Sequence, residues 1–305
     1  MTQPSPSSAS PSSLPPLHIA VLGIGMMGFP MDRRLCEAGL SVSAWNRSRT
    51  KSDRLLPFGA RVTDTPAEAV AQADVVITLL EDGGIVEDVL FRQGAAQAMR
   101  PGSIVMDMSS IQPAQARDHA ARLGALGVHH IDAPVSGGTL GAEQGTLAIM
   151  AGGKAADVER VQPVLAVLGR ATHVGPHGAG QLAKLANQMI VGITIGAVAE
   201  ALLLCEKGGA DMARVKQAIT GGFADSRILQ VHGQRMIERD FAKRGAVSVQ
   251  LKDMRNALAT AQEVGFTAPI TSLFEQLFAE AADHGLADLD HSALFVELAS
   301  RNGMA

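Results

Sequence analysis

Short apolar runs alternate with stretches of helical periodicity along the first 175 residues of the chain. Brief runs rich in valine, isoleucine and leucine, bounded by glycine, asparagine or serine, are typical of strands buried on both faces. Six strands are predicted at 19–22, 41–45, 60–62, 75–80, 103–108 and 128–131, and 147–151 and 171–174 could extend the sheet. Helices are predicted at 29–38, 66–73, 84–91 and 113–126. This α/β alternation predicts a doubly wound, Rossmann-type parallel sheet.

One long helix is predicted after this pattern. From Gly180 to Gly208 there is no proline, and alanine and leucine dominate. Its apolar residues surround the axis, so we expect the helix to be buried on every side, by the first domain or by a second subunit. A membrane span is not favoured, because Thr194 and Glu200 interrupt the apolar run.

The remainder of the chain shows helical periodicity, with helices predicted at 212–220, 228–239, 249–264, 269–284 and 291–298. It predicts an all-α second domain that follows the long helix. We therefore expect a disordered leader at 1–16, a dinucleotide-binding domain at 17–177 and an α-helical substrate and oligomerisation domain at 178–305.

Composition excludes several classes of protein. The chain has 305 residues, of which 47% are apolar and 18% charged, and its net charge is −4. A nucleic acid or an anionic membrane is therefore not an expected partner. The two cysteines, Cys36 and Cys205, form neither a CxxC pair nor a metal cluster, and we expect both to be reduced in a cytoplasmic protein.

The first strand runs directly into a glycine-rich turn, GIGMMG at 23–28, and then into a helix. This strand, GxGxxG and helix order is the context that a dinucleotide-binding fingerprint requires. Gly23 allows the tight turn, Gly25 lets the backbone approach a pyrophosphate, and Gly28 permits close helix packing. We expect these glycines and Met27 to bind the phosphates at the helix N-terminus.

The second strand ends in Asn46, Arg47 and Ser48, where an NAD site usually has an acidic residue. A guanidinium can pair with a 2′-phosphate, whereas an acid would repel it, so NADP(H) is favoured and NAD(H) stays possible. The same arginine also fits an ordinary surface residue after a strand.

Further candidate residues lie where later strands end. Ligands of doubly wound sheets bind beyond the carboxyl ends of the strands, which places Leu80 and Ser110 near the cofactor. The loop at 132–141 contains Ser136, Gly137 and Gly138, whose free amides could wrap a carboxylate as an anion-binding nest. Loop glycines also serve simply as turn residues.

The start of the long helix carries an amine and two carboxamides on one face, namely Lys184, Asn187 and Gln188. The lysine alone also fits a solvated side chain that snorkels at the edge of an apolar helix. His173 and His177 are four residues apart, but Gly175 and Pro176 break any helix between them. We therefore expect no metal site.

Four motifs occur in order across nearly the whole chain: GxGxMGxPM at 23–31, DAPVSGG at 132–138, GxGxxxKxxNQ at 178–188, and the pair Lys252 and Asp253. Together they resemble the β-hydroxyacid dehydrogenase family, which includes 3-hydroxyisobutyrate and 6-phosphogluconate dehydrogenases. The resemblance implies a catalytic lysine at Lys184. It also implies substrate contacts from Ser136, Gly137, Gly138 and Asn187, with Ser110 and Lys252 near the cofactor.

The implied reaction is NADPH-dependent reduction of a short carboxylated semialdehyde, with Lys184 as the general acid. Segments 221–229, 231–236 and 290–294 are most similar to the tartronate semialdehyde reductase subfamily, whose product is D-glycerate. Oxidation of 3-hydroxyisobutyrate, or interconversion of 4-hydroxybutyrate and succinic semialdehyde, is an alternative within the family. A catalytically silent NADP-binding scaffold is the non-enzymatic alternative. The apolar long helix also favours a homodimer or homotetramer.

Overall fold

The computed structural model describes residues 17–304, and the leader expected at 1–16 lies outside them. The described residues form one nine-stranded sheet followed by a helical region. The strands are β1 His18–Leu22, β2 Ser41–Trp45, β3 Arg61–Val62, β4 Val75–Thr78, β5 Ile104–Asp107, β6 His129–Asp132, β7 Val135–Ser136, β8 Leu147–Gly153 and β9 Gly169–Gly175.

Helices connect the strands and then continue alone to the end of the described chain. In the sheet region they are α1 Gly28–Glu37, α2 Arg49–Asp53, α3 Pro66–Val70, α4 Gly83–Glu87, α5 Ala95–Ala98, α6 Pro113–Ala125, α7 Gly138–Gln144, α8 Ala155–Arg160 and α9 Gln162–Leu168. The helical region contains α10 Ala179–Lys207, α11 Met212–Ile219, α12 Arg227–Glu238, α13 Val247–Glu263, α14 Pro269–Ala281 and α15 Leu294–Arg301. Short π turns follow α4 and α14, and 3₁₀ turns occupy Leu56–Phe58 and His291–Ala293.

The strand order is β3-β2-β1-β4-β5-β6-β8-β7, with β9 paired to β8. The first six strands are all parallel, as predicted. The order reverses between β1 and β4, and doubly wound sheets bind ligands at such a crevice. The fold class expected from the apolar pattern is confirmed.

The prediction was wrong around β7. The structure forms β7 and begins α7 where a loop was expected at 132–141, and β8 runs antiparallel to both β6 and β7. A two-residue strand has no periodicity of its own, so only its partner strand defines it. The sheet is therefore mixed at this edge.

Both faces of the sheet are covered by apolar cores, and the helical region has a third. One cluster packs α1 and α9 against β1, β5 and β8, and another packs α3, α5 and α6 against the opposite face. Strand β1 is accordingly almost fully buried, which explains its continuous apolar run. The third cluster joins the second half of α10 to α12, α13, α14 and α15.

Helix α10 has 29 residues, so it is roughly 43 Å long at about 1.5 Å per residue. Two glycines allow its neighbours to approach: a Cβ on Gly192 would lie 2.1 Å from Met254 Cε, and one on Gly196 would lie 1.9 Å from Phe274 Cε1. By length and composition α10 could cross a membrane, but 44% of its most apolar window is buried inside the chain. A buried core helix of a globular domain has the same length and apolar composition.

Within the single chain α10 is covered only in part, so the burial expected on every side would require a second subunit. Ile190 is 67% exposed and Leu204 is 72% exposed. They belong to one stripe of exposed apolar residues whose successive members are three, four or seven positions apart: Leu182, Ala186, Ile190, Ala197, Ala201 and Leu204. The sequence shows how the apolar residues are distributed around the axis of α10. The positions of the neighbouring helices decide which stripe of them is left uncovered.

Candidate active site

The turn after β1 requires glycine at two positions and leaves open space at the third. Gly23 has φ of +115°, and a Cβ there would lie 2.3 Å from the Leu79 carbonyl oxygen. A Cβ on Gly28 would lie 2.3 Å from the Gly23 carbonyl oxygen, whereas one on Gly25 would meet no described atom within 4 Å. Gly23 and Gly28 therefore serve the fold, and the space over Gly25 is free for a ligand. Met27 ends the turn at the N-cap of α1, where no side chain forms a capping hydrogen bond within the described chain.

Asn46 joins this turn to the end of β2. Its Oδ1 accepts a hydrogen bond from the Ile24 N–H at 3.0 Å, and its Nδ2 donates to the Ser48 carbonyl at 3.0 Å. Arg47 and Ser48 are exposed beside it. Arg49 pairs with Asp53 and Asp64, but Arg47 has no ion pair among residues 17–304. The Arg47 guanidinium is thus available to a ligand.

The ends of β4 and β5 are held together by hydroxyl groups. The Leu80 N–H donates to Ser109 Oγ at 3.0 Å, and buried Asp107 accepts from Thr78 Oγ1 at 2.7 Å and from the Ser109 N–H at 3.0 Å. Burial raises the pKa of Asp107 to about 6, and the hydrogen bonds from Ser109 and Thr78 act in the opposite direction. This network fixes the backbone beside Leu80 and Ser110.

The substrate-loop candidates lie at the junction of β7 and α7. Ser136 is half-buried, and Gly137 and Gly138 both have positive φ, +141° and +64°. A Cβ on Gly137 would approach Leu147 to 3.1 Å, so glycine is favoured there by conformation and by space. Helix α7 begins at Gly138, and no side chain caps it among the described residues. Exposed backbone amides of this kind can hold an anion.

The first turn of α10 is anchored to the sheet by two residues that sequence reasoning missed. Asp132, at the end of β6, accepts from the N–H groups of Gly178 at 2.8 Å and Gln181 at 2.9 Å. The buried Gln181 side chain donates to the Ser109 carbonyl at 2.8 Å and accepts from the Ile111 N–H at 3.1 Å. These bonds fix the direction in which the helix leaves the sheet.

One turn further along, Lys184 points back toward the turn formed by Ser136, Gly137 and Gly138. Its Nζ donates to the Val135 carbonyl at 2.8 Å and to Gln188 Oε1 at 3.1 Å. Since Val135 directly precedes Ser136, the amine lies beside the Ser136 to Gly138 turn. Burial lowers the pKa of Lys184 below its ordinary value, the Asp253 carboxylate raises it, and the Lys252 ammonium lowers it.

Asp253 connects the residues around Lys184 to those that follow β4 and β5. This carboxylate is 1% exposed and accepts from Ser110 Oγ at 3.0 Å and from Gln188 Nε2 at 2.7 Å. Lys252 lies 3.3 Å from it and donates to the carbonyls of Glu81 at 3.1 Å and Ser110 at 3.0 Å. The polar chain therefore runs from the ends of β4 and β5 through α13 to α10.

The structure places the sequence-predicted residues in two groups. The first group lies in or beside the polar network, where Asn187 donates to Gln188 Oε1 at 2.8 Å. It comprises Leu80, Ser110, Ser136, Gly137, Gly138, Lys184, Asn187 and Lys252. The second group surrounds the ends of β1 and β2 and comprises Gly23, Gly25, Met27, Gly28, Asn46, Arg47 and Ser48.

Gln188 was recognised as a neighbour of Lys184, but its link to Asp253 was not. The pair Lys252 and Asp253 was a visible sequence signal, since it formed one of the four motifs. Gln181 and Asp132 lay inside two other motifs without an assigned role. The arrangement can hold an anion over the glycine turn and a second anion at the Ser136 turn, and the Lys184 amine beside that second turn can exchange a proton.

Two family models match consecutive parts of the chain. Residues 18–175 match the NAD-binding domain of 6-phosphogluconate dehydrogenase. Residues 178–298 match a domain described as the NAD-binding domain of NADP-dependent 3-hydroxyisobutyrate dehydrogenase.

Individual relatives extend this similarity over nearly the full length. The chain is 42% identical over 271 residues to 2-hydroxy-3-oxopropionate reductase of Escherichia coli K12, covering 88% of this chain and 92% of that protein. The crystal structure of 3-hydroxyisobutyrate dehydrogenase from Salmonella typhimurium superimposes with a TM-score of 0.85 at 30% identity, covering 92% of this chain and 99% of that one. The Mycobacterium tuberculosis 3-hydroxyisobutyrate dehydrogenase, solved with L-serine, gives 0.84 at 35% identity with the same coverage.

Proposed function

The chain belongs to the β-hydroxyacid dehydrogenase family of NAD(P)-dependent oxidoreductases that act on CH–OH groups, and from this premise we propose that it reduces tartronate semialdehyde to D-glycerate with NADPH. The similarity to the E. coli reductase supports this substrate. The observation that carries the chemistry is the Lys184 amine, which lies beside the glycine turn at Ser136 and is linked through Gln188 to Asp253.

The residues beyond β1 and β2 fit a dinucleotide, because Gly25 faces open space and Arg47 has no ion pair among residues 17–304. When bound there, NADPH would supply the hydride for the aldehyde carbon. Gly25, Met27 and Gly28 would hold the pyrophosphate with backbone N–H groups, and Gly23 would shape the turn, because its own N–H donates to the Trp45 carbonyl at 3.0 Å. Leu80, Ser110 and Lys252 would border the nicotinamide.

Arg47 supports NADP(H) over NAD(H). Its guanidinium would form charge-assisted hydrogen bonds with the 2′-phosphate, and the Ser48 hydroxyl and Asn46 would complete the contacts around the ribose. Binding of NAD(H) stays possible. A carboxylate at this position would strengthen it by a hydrogen bond to the ribose hydroxyl, but weak binding does not require one.

Lys184 acts as the general acid. Negative charge develops on the carbonyl oxygen during reduction, and the ammonium both stabilises that charge and donates a proton to the oxygen. Because burial lowers the pKa of Lys184, the neutral amine is also accessible, and it would serve as the base when the alcohol is oxidised. Reduction should therefore slow as pH rises through this lowered pKa, and oxidation should quicken.

The substrate carboxylate would bind at the Ser136, Gly137 and Gly138 turn through the Ser136 hydroxyl and the backbone N–H groups. Positive φ at both glycines shapes this turn without any side chain blocking it. Asn187 would orient the substrate oxygen, and its bond to Gln188 fixes the amide. Two contacts on a three-carbon acid are enough to set the hydride distance.

Two further features belong to this proposal. We assign residues 17–177 to NADP binding and residues 178–305 to substrate binding and oligomerisation, with the exposed apolar stripe of α10 covered by a second subunit of a homodimer or homotetramer. The molar mass in solution, measured by light scattering, tests that assembly. The free thiols of Cys36 and Cys205 support a cytoplasmic location.

A panel of semialdehydes assayed by NADPH and NADH oxidation, with the corresponding hydroxy acids assayed by NADP⁺ and NAD⁺ reduction, tests the function. Tartronate semialdehyde should give the highest kcat/KM, because its short chain places both carboxylate and aldehyde within reach of the Ser136 turn and Lys184. The alternative substrate is 3-hydroxyisobutyrate, favoured by the similarity to the Mycobacterium tuberculosis enzyme, followed by 4-hydroxybutyrate. Equal or better turnover of succinic semialdehyde would contradict the assignment.

A further inference from the structure

A second polar cluster lies behind the candidate active site, at the point where β6 meets the turn before α10. It consists of His130 and Asp132 of β6 and His177 of the turn, and their candidate ligand atoms all lie within 4.8 Å of one another. The two imidazole rings are 5.8 Å apart between centroids. None of these side chains has a part in the hydride-transfer chemistry described above, although Asp132 anchors α10.

The histidines of this cluster have hydrogen-bonding capacity that the described chain leaves unused. His130 is 2% exposed, yet within residues 17–304 neither of its ring nitrogens has a hydrogen-bond partner, and neither does Nδ1 of His177. A buried polar group without a partner is destabilising, so such groups usually have one in the working protein.

The cluster also has a route to solvent. The residues that line a surface cavity of about 220 Å³ include His129, His130, Lys154, Asp157 and His177. Asp157 already pairs with His129 at 2.8 Å. The ring nitrogens of His130 and His177 that lack a partner are therefore the potential metal ligands left on the cavity wall. A small cation could therefore reach the cluster without unfolding of the sheet.

A second cluster of the same composition provides a comparison within the chain. His232, Asp290 and His291 also bring their ligand atoms within 4.8 Å. There Arg235 Nη1 contacts both Asp290 oxygens at 3.1 and 3.2 Å, and Ser292 Oγ donates to Oδ1 at 2.6 Å. A guanidinium thus already occupies the position that a metal would take, whereas no basic side chain of the described residues fills the first cluster in this way.

We propose that His130, Asp132 and His177 form a binding site for one divalent transition-metal ion of the zinc type. Two imidazoles and a carboxylate are the ligand set that Zn²⁺ and Co²⁺ accept, and a fourth position would face the cavity. Tetrahedral ligands with bonds of about 2.0 Å lie roughly 3.3 Å apart, so small side-chain rotations close the cluster. The proposal departs from the expectation of no metal site, which considered His177 only together with His173.

The consequence would be structural. A cation bound by His130 and Asp132 of β6 and by His177 would link the strand to the turn that begins α10. Asp132 would retain its bonds to the Gly178 and Gln181 N–H groups, because each carboxylate oxygen can accept more than one bond. The metal would therefore stiffen the base of the helix that carries Lys184 without contacting the reacting atoms.

Titration of the chelator-treated, tag-free full chain with Co²⁺ and Zn²⁺ tests the site. We expect one equivalent of Co²⁺ per chain with the visible absorption of a tetrahedral complex, displaced by Zn²⁺, and a Zn²⁺-dependent rise in Tm. His130→Leu and His177→Leu should each weaken binding at least tenfold, since each removes one of three ligands. His177 is partly exposed, so its variant retains the fold even if His130→Leu does not.

Two matched variants complete the test. His173→Gln changes a nearby histidine that instead contacts the Gly153 carbonyl at 2.9 Å, and His232→Gln changes the cluster that Arg235 occupies. Both should bind Co²⁺ as the parent does. Absence of saturable binding, or binding that survives in His177→Leu but is lost in His232→Gln, would overturn the proposal. Because the readouts do not use activity, the outcome is independent of the proposed reaction.

Discussion

The two halves of the candidate active site are built from different parts of the polypeptide. The nucleotide half, at the ends of β1 and β2, is mainly backbone: Gly23 and Gly28 are needed for the fold, and Gly25 faces open space. The catalytic half, at the start of α10, is made of side chains from three separate segments that meet at Asp253. A backbone site depends on local conformation, whereas a side-chain network depends on how the domains pack.

The two halves should therefore respond to different substitutions. A change in the glycine turn should alter cofactor binding or folding and leave the proton chemistry intact. A change in the Lys184 network should alter rate and pH dependence and leave cofactor binding nearly unchanged. The predictions below separate the two halves.

Lys184→Ala should have the largest effect. Loss of a general acid usually lowers kcat by about 10² or more, so we expect at least that loss, with Kd for NADPH within a few-fold of the parent. Steady-state kinetics and NADPH titration by fluorescence measure both quantities. Lys207→Ala, at the far end of the same helix, is the matched control and should be nearly neutral. Turnover of Lys184→Ala within a few-fold of the parent would refute the acid role.

Gly25→Val should have the next largest effect, and on the other half of the site. Since a Cβ at Gly25 meets no described atom within 4 Å, the variant should fold with an unchanged Tm but bind NADPH more than about tenfold weaker, because the added methyl groups fill the space for the pyrophosphate. Gly28→Val should instead lower Tm, because its Cβ would collide with the Gly23 carbonyl. Equal thermal destabilisation of both variants would contradict this division.

Arg47→Asp should change cofactor preference by a smaller factor. One hydrogen bond to a charged group is worth about 1.5–3 kcal/mol, so kcat/KM for NADPH should fall about tenfold or more while that for NADH changes little. Arg61→Asp makes the same charge change on the neighbouring strand and should leave the ratio near its parent value. An unaltered preference for NADPH in Arg47→Asp would remove the basis for the NADP assignment.

Asp253→Asn should have the smallest effect, seen in the pH profile. The Asp253 carboxylate raises the pKa of Lys184, so its removal should lower that pKa further and move the alkaline limb of reductive kcat/KM to lower pH. Lys252→Gln should move the same limb to higher pH, because the Lys252 ammonium lowers the Lys184 pKa. Profiles from pH 5 to pH 10 would show the two directions. Shifts in the same direction would mean that electrostatics do not control Lys184.

Some features of this protein could be predicted from sequence because they are local. The apolar runs of β1 to β6 and the glycine spacing at Gly23 to Gly28 depend on residues close in the chain. The long helix was also predicted within two residues of its start and one of its end, at Ala179–Lys207. The three-residue and four-residue spacings that placed Lys184, Asn187 and Gln188 on one face hold in the structure, where hydrogen bonds join them.

Other features required the tertiary structure. Strand β7 exists only because β8 pairs with it, and the exposed stripe of α10 exists because α12 to α15 cover the other sides. The contact of Asp253 with Ser110 spans 143 positions of the sequence. His177 meets His130 across 47 positions, a pairing that the spacing of His177 from the nearby His173 does not predict.

The order of strands and helices, the dinucleotide turn and the positions of the charged residues thus follow from the amino-acid order, because periodicity and backbone conformation act over a few residues. Which charged residues are buried, which of them meet, and which face of α10 is left open depend on the folded chain. Burial and hydrogen bonding are set by distances between atoms, and folding brings together residues whose separation in sequence follows no regular period.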